Sequence, residues 1–145
     1  MRQTKHTKLG ELLIVDGNFD ERLQIEGALP ADMWRAFHAE TLTHGIELCS
    51  ARKFDVIFLE ADPLDPDSVT SISTIRHGEG RCNGATIIAM SNFLPGAFDI
   101  LAERAGADLH IKKPVPLDEI AEIIADASAN RAKFKDMRLR RLACS

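Results

Sequence analysis

Val56-Ile57-Phe58-Leu59-Glu60 sets four consecutive apolar residues before one acid. A continuous run rich in Val, Ile and Leu, with no polar alternation, fits a strand covered on both faces, as in a parallel sheet. The same form recurs on either side. Leu12-Leu13-Ile14-Val15 runs into Asp16-Gly17-Asn18, and Ala85-Thr86-Ile87-Ile88-Ala89-Met90 runs into Ser91-Asn92. Two weaker runs complete the set: the alternating Trp34–Ala39, and the mixed Ala107–Ile111 before Lys112-Lys113-Pro114.

Helical patterns lie between these runs. Phe19 and Leu23, with the small pair Gly27 and Ala28 beyond, predict a first helix ending before Pro30. Leu42, Ile46 and Cys49 recur at helical spacing after Thr41, and Val69, Ile72 and Ile75 recur before a stop at Gly78. Asp67 and Ser68 are the expected caps of that third helix. Pro95 opens a segment with Phe98, Leu101 and Ala102 that Gly106 closes, and Leu117, Ile120, Ala121, Ile124 and Ala127 form a stripe after Pro116. Proline at helix starts and glycine at helix ends obey the capping rules. The sum is (βα) five times over, which implies an open parallel sheet with helices on both faces and right-handed crossovers.

Composition agrees with that class. The chain has 145 residues, 45% of them apolar and 28% charged, which suits one globular domain and excludes a disordered, collagen-like or coiled-coil chain. No stretch of ~18 apolar residues exists to span a membrane, and the N-terminal MRQTKHTKLG lacks an apolar signal core, so a reduced, cytoplasmic protein is expected. Cys49, Cys82 and Cys144 are too scattered for a disulfide framework and are expected to be buried apolar residues or, for Cys144, a tail thiol. The five histidines show no metal-ligand spacing.

The net charge of −4 is uneven: residues 131–141 (RAKFKDMRLRR) carry six Lys/Arg and one Asp, a local +5 that leaves −9 on the rest. An acidic body is not a nucleic-acid-binding domain, so nucleic acid and membrane are not expected partners. The expected division is a flexible tail over 1–9, a domain over 10–130 and a basic helical extension or tail over 131–145. An amphipathic basic extension of the last helix would dock on a partner or a second copy, giving a homodimer; alternatively it frays in solvent.

In open α/β sheets ligands bind beyond the carboxyl ends of the strands. The residues that follow the apolar runs are therefore the candidates: Asp16, Glu60, Ser91 and Lys113. Two acids, a hydroxyl and a lysine converge on one edge. No Gly-rich phosphate loop and no nucleophile elbow is present, so an enzyme or nucleotide-binding protein of flavodoxin type is disfavoured and no enzymatic activity is expected.

These residues resemble a response-regulator receiver domain over roughly residues 10–130. Leu12–Asp16 resembles the family's first strand and acidic cluster, and Asp55–Glu60 the third strand, which carries the phosphoryl-accepting aspartate. Thr86–Ser91 resembles the fourth strand with its Ser/Thr switch residue, and Gly106–Pro114 the Gly-Ala-Asp to Lys-Pro signature. The resemblance implies a flavodoxin-like sheet in the order 2-1-3-4-5. It also implies Mg²⁺ binding, phosphate from a histidine kinase, and a switch in which His110 occupies the aromatic position. Imidazole titrates near neutral pH, so a pH-sensitive rotamer at His110 stands beside the plainer reading of a half-buried face residue.

Two departures fall on the chemistry. Glu60 stands at the phosphoacceptor position, and Gly17 replaces the usual second acid. Asp16, Glu60 and the backbone carbonyl of Asp62 still offer three oxygens, but Glu is longer by one methylene, so Mg²⁺ binding is expected to be weak or absent. Glu60 either reaches towards Ser91 and Lys113 as a standing mimic of a modified aspartate, with a Glu60–Lys113 ion pair, or is an inert pocket acid. One carboxylate is a poor substitute for a phosphoryl group. Asp62 and Asp65, in the following loop, lack the fixed geometry of a phosphoacceptor. The expected function is a stand-alone pseudo-receiver, too short for an appended DNA-binding domain. It would be a phosphorylation-independent interaction module of two-component signalling that binds a histidine kinase, another regulator or an output protein. The alternative is a working phosphoacceptor with an unusual site that uses Mg²⁺ and a histidine kinase donor.

Overall fold

The computed structural model describes residues 9–62, 65–78, 80–92 and 97–129. Five strands, β1 (Gly10–Val15), β2 (Trp34–Ala39), β3 (Val56–Glu60), β4 (Thr86–Ser91) and β5 (Leu109–Lys112), alternate with five helices. The helices are α1 (Phe19–Gly27), α2 (Leu42–Ala51), α3 (Pro66–His77), α4 (Ala97–Ala105) and α5 (Leu117–Ala129). All four strand pairings are parallel, and the sheet order is β2-β1-β3-β4-β5. The expected flavodoxin-like architecture is the observed one.

The side-chain alternation of each strand divides the core in two. On one face Leu13, Val15, Ile57, Leu59, Ile87 and Ala89 pack with Cys49 of α2, Ile72 and Ile75 of α3, and Ala102 and Ala105 of α4. On the other face Leu12, Ile14, Val56, Phe58, Ile88, Met90, Leu109 and Ile111 pack with Ile25 of α1 and with Ile120, Ile123 and Ile124 of α5. That double covering is why the central runs read as unbroken apolar stretches.

Several local expectations are corrected. In α1, Phe19 and Leu23 are 59% and 45% exposed, and Arg22 and Ile25 face inward instead. Arg22 takes an inward position because its guanidinium donates to the Asp16 carbonyl and to His38 Nδ1, which satisfies its buried donors. The α3 N-cap is Asp65, whose carboxylate accepts from the Asp67 N–H, with Pro66 at the first helical position. Ser68 lies within the first turn, and its hydroxyl accepts from the Asp62 N–H at 2.9 Å. In α5 the inward row is Ile120, Ile123 and Ile124, while Leu117 and Ala121 are exposed. In α4, Ala102 and Ala105 face the sheet and Leu101 is exposed.

β5 starts at Leu109, after a turn that Gly106 and Asp108 serve. Gly106 has φ +124°, and a Cβ there would lie 2.6 Å from the Cβ of Arg76, so glycine is required on both counts. Asp108 is buried, and its Oδ2 accepts from the Ile87 N–H at 2.9 Å and from Arg76 Nη2 at 2.8 Å. Residues 1–8, Pro95 and the basic stretch 131–141 lie outside the described residues. So does the expected helical extension beyond α5.

Candidate functional site at the carboxyl edge of the sheet

Four parallel strands deliver their last residues to one edge. Asp16 follows β1, Glu60 closes β3, Ser91 closes β4 and Lys113 follows β5. The chain brings all four sequence-predicted positions to that edge, and three of them, Asp16, Glu60 and Ser91, line a cavity of about 360 Å³ with Gly17, Asp62 and their neighbours.

Lys113 is the hub. Its side chain is 4% exposed, and the preceding backbone is pinned because the Lys113 N–H donates to the Ser91 carbonyl at 2.6 Å. The Lys113–Pro114 peptide bond is cis. Lys113 Nζ lies 2.6 Å from Glu60 Oε2, 2.8 Å from Asp16 Oδ2 and 3.0 Å from Glu21 Oε2. The expected Glu60–Lys113 ion pair is therefore formed. Glu21 was not anticipated. It sits 92 residues from Lys113 in the first turn of α1, and its only sequence signal is an acid where helix N-termini favour one.

The two strand-end acids differ in setting. Asp16 is buried at 1% exposure, and its Oδ1 accepts from the Asn18 N–H at 2.8 Å. Its Oδ2 has no aligned hydrogen-bond donor, and the Lys113 ammonium 2.8 Å away acts on it as a charge. Glu60 is more open, with a side chain 40% exposed, and its Oε1 accepts from the Gly17 N–H at 3.3 Å. Burial is the largest influence on both carboxyls and disfavours their charged forms. At Asp16 burial prevails, with the Glu60 charge adding to it, and the pKa lies above the ordinary value. At Glu60 the Lys113 ammonium and the Gly17 N–H outweigh burial, and the pKa lies below it. Lys113 is desolvated, but three carboxylates more than compensate and raise its pKa.

Ser91 is 1% exposed, and its Oγ lies 2.7 Å from His110 Nε2. The two expected switch positions thus bond to each other across β4 and β5. His110 is half-buried, as a face residue of β5 should be. Asp62 is exposed beside the cavity; its N–H goes to Ser68 and its carbonyl accepts from the Asp65 N–H at 2.9 Å.

This donor set does not suit Mg²⁺, which wants near-octahedral oxygens at about 2.1 Å. The Lys113 ammonium already stands against both carboxylates that would hold the ion. Gly17 brings no carboxylate, and the Asp62 carbonyl, which accepts the Asp65 amide, has one lone pair left. Among the described residues no group of three His, Cys, Asp or Glu side chains is arranged to hold a metal ion. Nor is any described helix long and apolar enough to cross a membrane.

Comparison with known proteins points one way. No protein-family model matches the chain. The chain is 31% identical over 109 residues to the KDP operon transcriptional regulatory protein of Escherichia coli, a match that spans 75% of this chain but only 47% of that protein. A response regulator from Thermotoga maritima superposes with a TM-score of 0.76 at 20% identity, covering 85% of this chain and all of its own, 100%. A two-component response regulator from Clostridium difficile gives 0.69 at 25% identity, covering 83% of this chain and 93% of its own. Fold and sequence together support a response-regulator receiver domain.

Proposed function

We propose that this domain works in two-component signalling as a phosphorylation-independent protein-interaction module, not as an enzyme and without Mg²⁺. The observation that carries the reading is the 2.6 Å contact between Glu60 Oε2 and Lys113 Nζ. The acid at the phosphoacceptor position is one methylene longer than aspartate, and its outer oxygen is tied to the lysine. In-line phosphoryl transfer needs a fixed nucleophile, a metal clamp and room for three phosphoryl oxygens. Here the nucleophile is paired to an ammonium and the clamp lacks its second acid. The partner is a signalling protein: a histidine kinase, another regulator or an output protein. A cytoplasmic location follows from that role.

The test is to incubate the protein with Mg²⁺ and a small phosphodonor and to record its intact mass beside a Glu60→Asp variant. No phosphoryl adduct on the parent protein is expected. An adduct on the parent would overturn the reading and direct mapping to Asp16, Glu60, Asp62 and Asp65.

A further inference from the structure

The carboxyl-edge site makes no direct use of His38. This residue lies on β2, an edge strand, on the sheet face that α1 covers; its register partner in β1 is Ile14, which packs in one cluster with Ile25 of α1. Two side chains of α1, one turn apart, hold its ring by its two nitrogens. Arg22 Nε donates to His38 Nδ1 at 3.2 Å, and His38 Nε2 lies 2.6 Å from Glu26 Oε1. A guanidinium only donates and an ionised carboxylate only accepts. The ring proton is therefore on Nε2, the free lone pair is on Nδ1, and the imidazole in this arrangement is neutral.

Arg22 carries that arrangement to the carboxyl edge. It is 8% exposed, its Nη1 donates to the Asp16 carbonyl, and its guanidinium lies 5.5 Å from the centre of the Phe19 ring. One buried cation thus ties β2 to the peptide that leaves β1. The remaining charges on this side are both acids. Glu40 is exposed two positions beyond His38, and Asp16 follows β1 with its carboxylate on the Asn18 N–H and the Lys113 ammonium. We propose that His38 is a proton-operated latch: protonation at Nδ1 detaches Arg22 from β2 and loosens its hold on the Asp16 carbonyl beside the carboxyl-edge site.

The two partners of the ring answer a proton with opposite signs. On the Arg22 side protonation sets one N–H against another and an imidazolium beside a guanidinium, so a hydrogen bond becomes a repulsion. On the Glu26 side the hydrogen bond becomes a charge-assisted one. Protonation therefore moves the ring from Arg22 towards Glu26. Arg22 Nε, a buried donor left without its acceptor, must turn to find another, because an unmatched buried donor is costly. The His38 side chain is 26% exposed and that of Glu26 47%, so the proton can arrive from solvent. Imidazole is the side chain that changes charge between about pH 8 and pH 5. The latch works the same way whether or not Glu60 takes a phosphoryl group, so its test is separate from the phosphodonor experiment.

The experiment follows the full chain by NMR from about pH 8 to pH 5. Long-range proton–nitrogen correlation reads the tautomer and titration of each imidazole, and the Arg22 Nε–H and Gly17 amide signals report the two ends of the Arg22 tie. At high pH His38 should be the Nε2–H tautomer. As it titrates, the Arg22 Nε–H and Gly17 amide signals should shift with the same midpoint as the His38 ring. In His38→Gln the side-chain amide keeps an acceptor for Arg22 and a donor for Glu26 without a titrating group, and both shifts at that midpoint should vanish. The proposal is overturned if neutral His38 carries its proton on Nδ1, if the ring stays neutral down to pH 5, or if the Arg22 Nε–H signal is unmoved through the His38 midpoint. It is equally overturned if His38→Gln retains the shifts. The measurements on the parent chain decide the matter even where the variant does not fold.

Discussion

Lys113 gathers the three carboxylates of the carboxyl-edge site onto one buried ammonium, and the energetic consequences follow from that placement. Removing one member of a buried ion pair leaves a desolvated charge behind, at a cost of about 3–5 kcal/mol. Lys113→Met should therefore destabilise the domain by up to that amount, measured by urea unfolding, with Asp16 left as the uncompensated charge. In the same variant the Glu60 carboxyl should titrate at higher pH than in the parent, because its largest stabilising partner is gone; carbon-detected NMR of the side chain reads this directly. The sequence alone showed that Asp16, Glu60, Ser91 and Lys113 share an edge, because strand ends in a parallel sheet must do so. It could not show Glu21, since its approach to Lys113 depends on how α1 lies across the sheet. The Ser91–His110 bond was equally hidden, because it depends on the register of β4 against β5 and on a rotamer.

At the level of elements, the strands were legible and the helix faces less so. The interior strands are covered on both sides and announce themselves by continuous apolar runs; β2, an edge strand, was legible through alternation. A helix face is decided by competition among side chains. In α1 the competition was won by Arg22, whose hydrogen bonds to Asp16 and His38 outweigh the pull of Phe19 and Leu23. The cap of α3 was misplaced for a similar reason: Asp65, Asp67 and Ser68 are all good capping residues, and only Pro66 at the first helical position distinguishes Asp65. Asp65→Ala should cost about 1 kcal/mol of stability, while Asp67→Ala, which removes only a first-turn charge, should cost less. Thermal unfolding of the two variants side by side decides which residue caps.

For the whole molecule, the two strand-end acids act on acid stability with opposite signs. A carboxyl whose pKa is lowered on folding contributes stability above its ordinary value and loses it as pH falls through the folded value; Glu60 behaves this way. Asp16, with a raised pKa, gains a proton more readily when folded, so acidification favours the folded state at that group. Glu60→Gln should thus flatten the loss of stability between about pH 7 and pH 3, and Asp16→Asn should steepen it, as read from urea midpoints across that range. Lys113, with a raised pKa, contributes below its ordinary value and loses that contribution only in strong alkali. Gly17 bears on a different global property. A Cβ at Gly17 would lie 3.8 Å from the Glu40 carbonyl and 4.0 Å from Glu60 Oε1, ordinary contact distances. The missing acid is therefore absent in chemistry but not in space. Gly17→Asp combined with Glu60→Asp should give a chain that folds and takes a phosphoryl group in the presence of Mg²⁺, seen by intact mass. Seen as an engineering problem, the proposed reading makes two substitutions, each within the existing backbone, the difference between a version that ignores an input and one that obeys it. A matched pair of that kind offers a clean control for asking what the input itself contributes to any partner the domain meets.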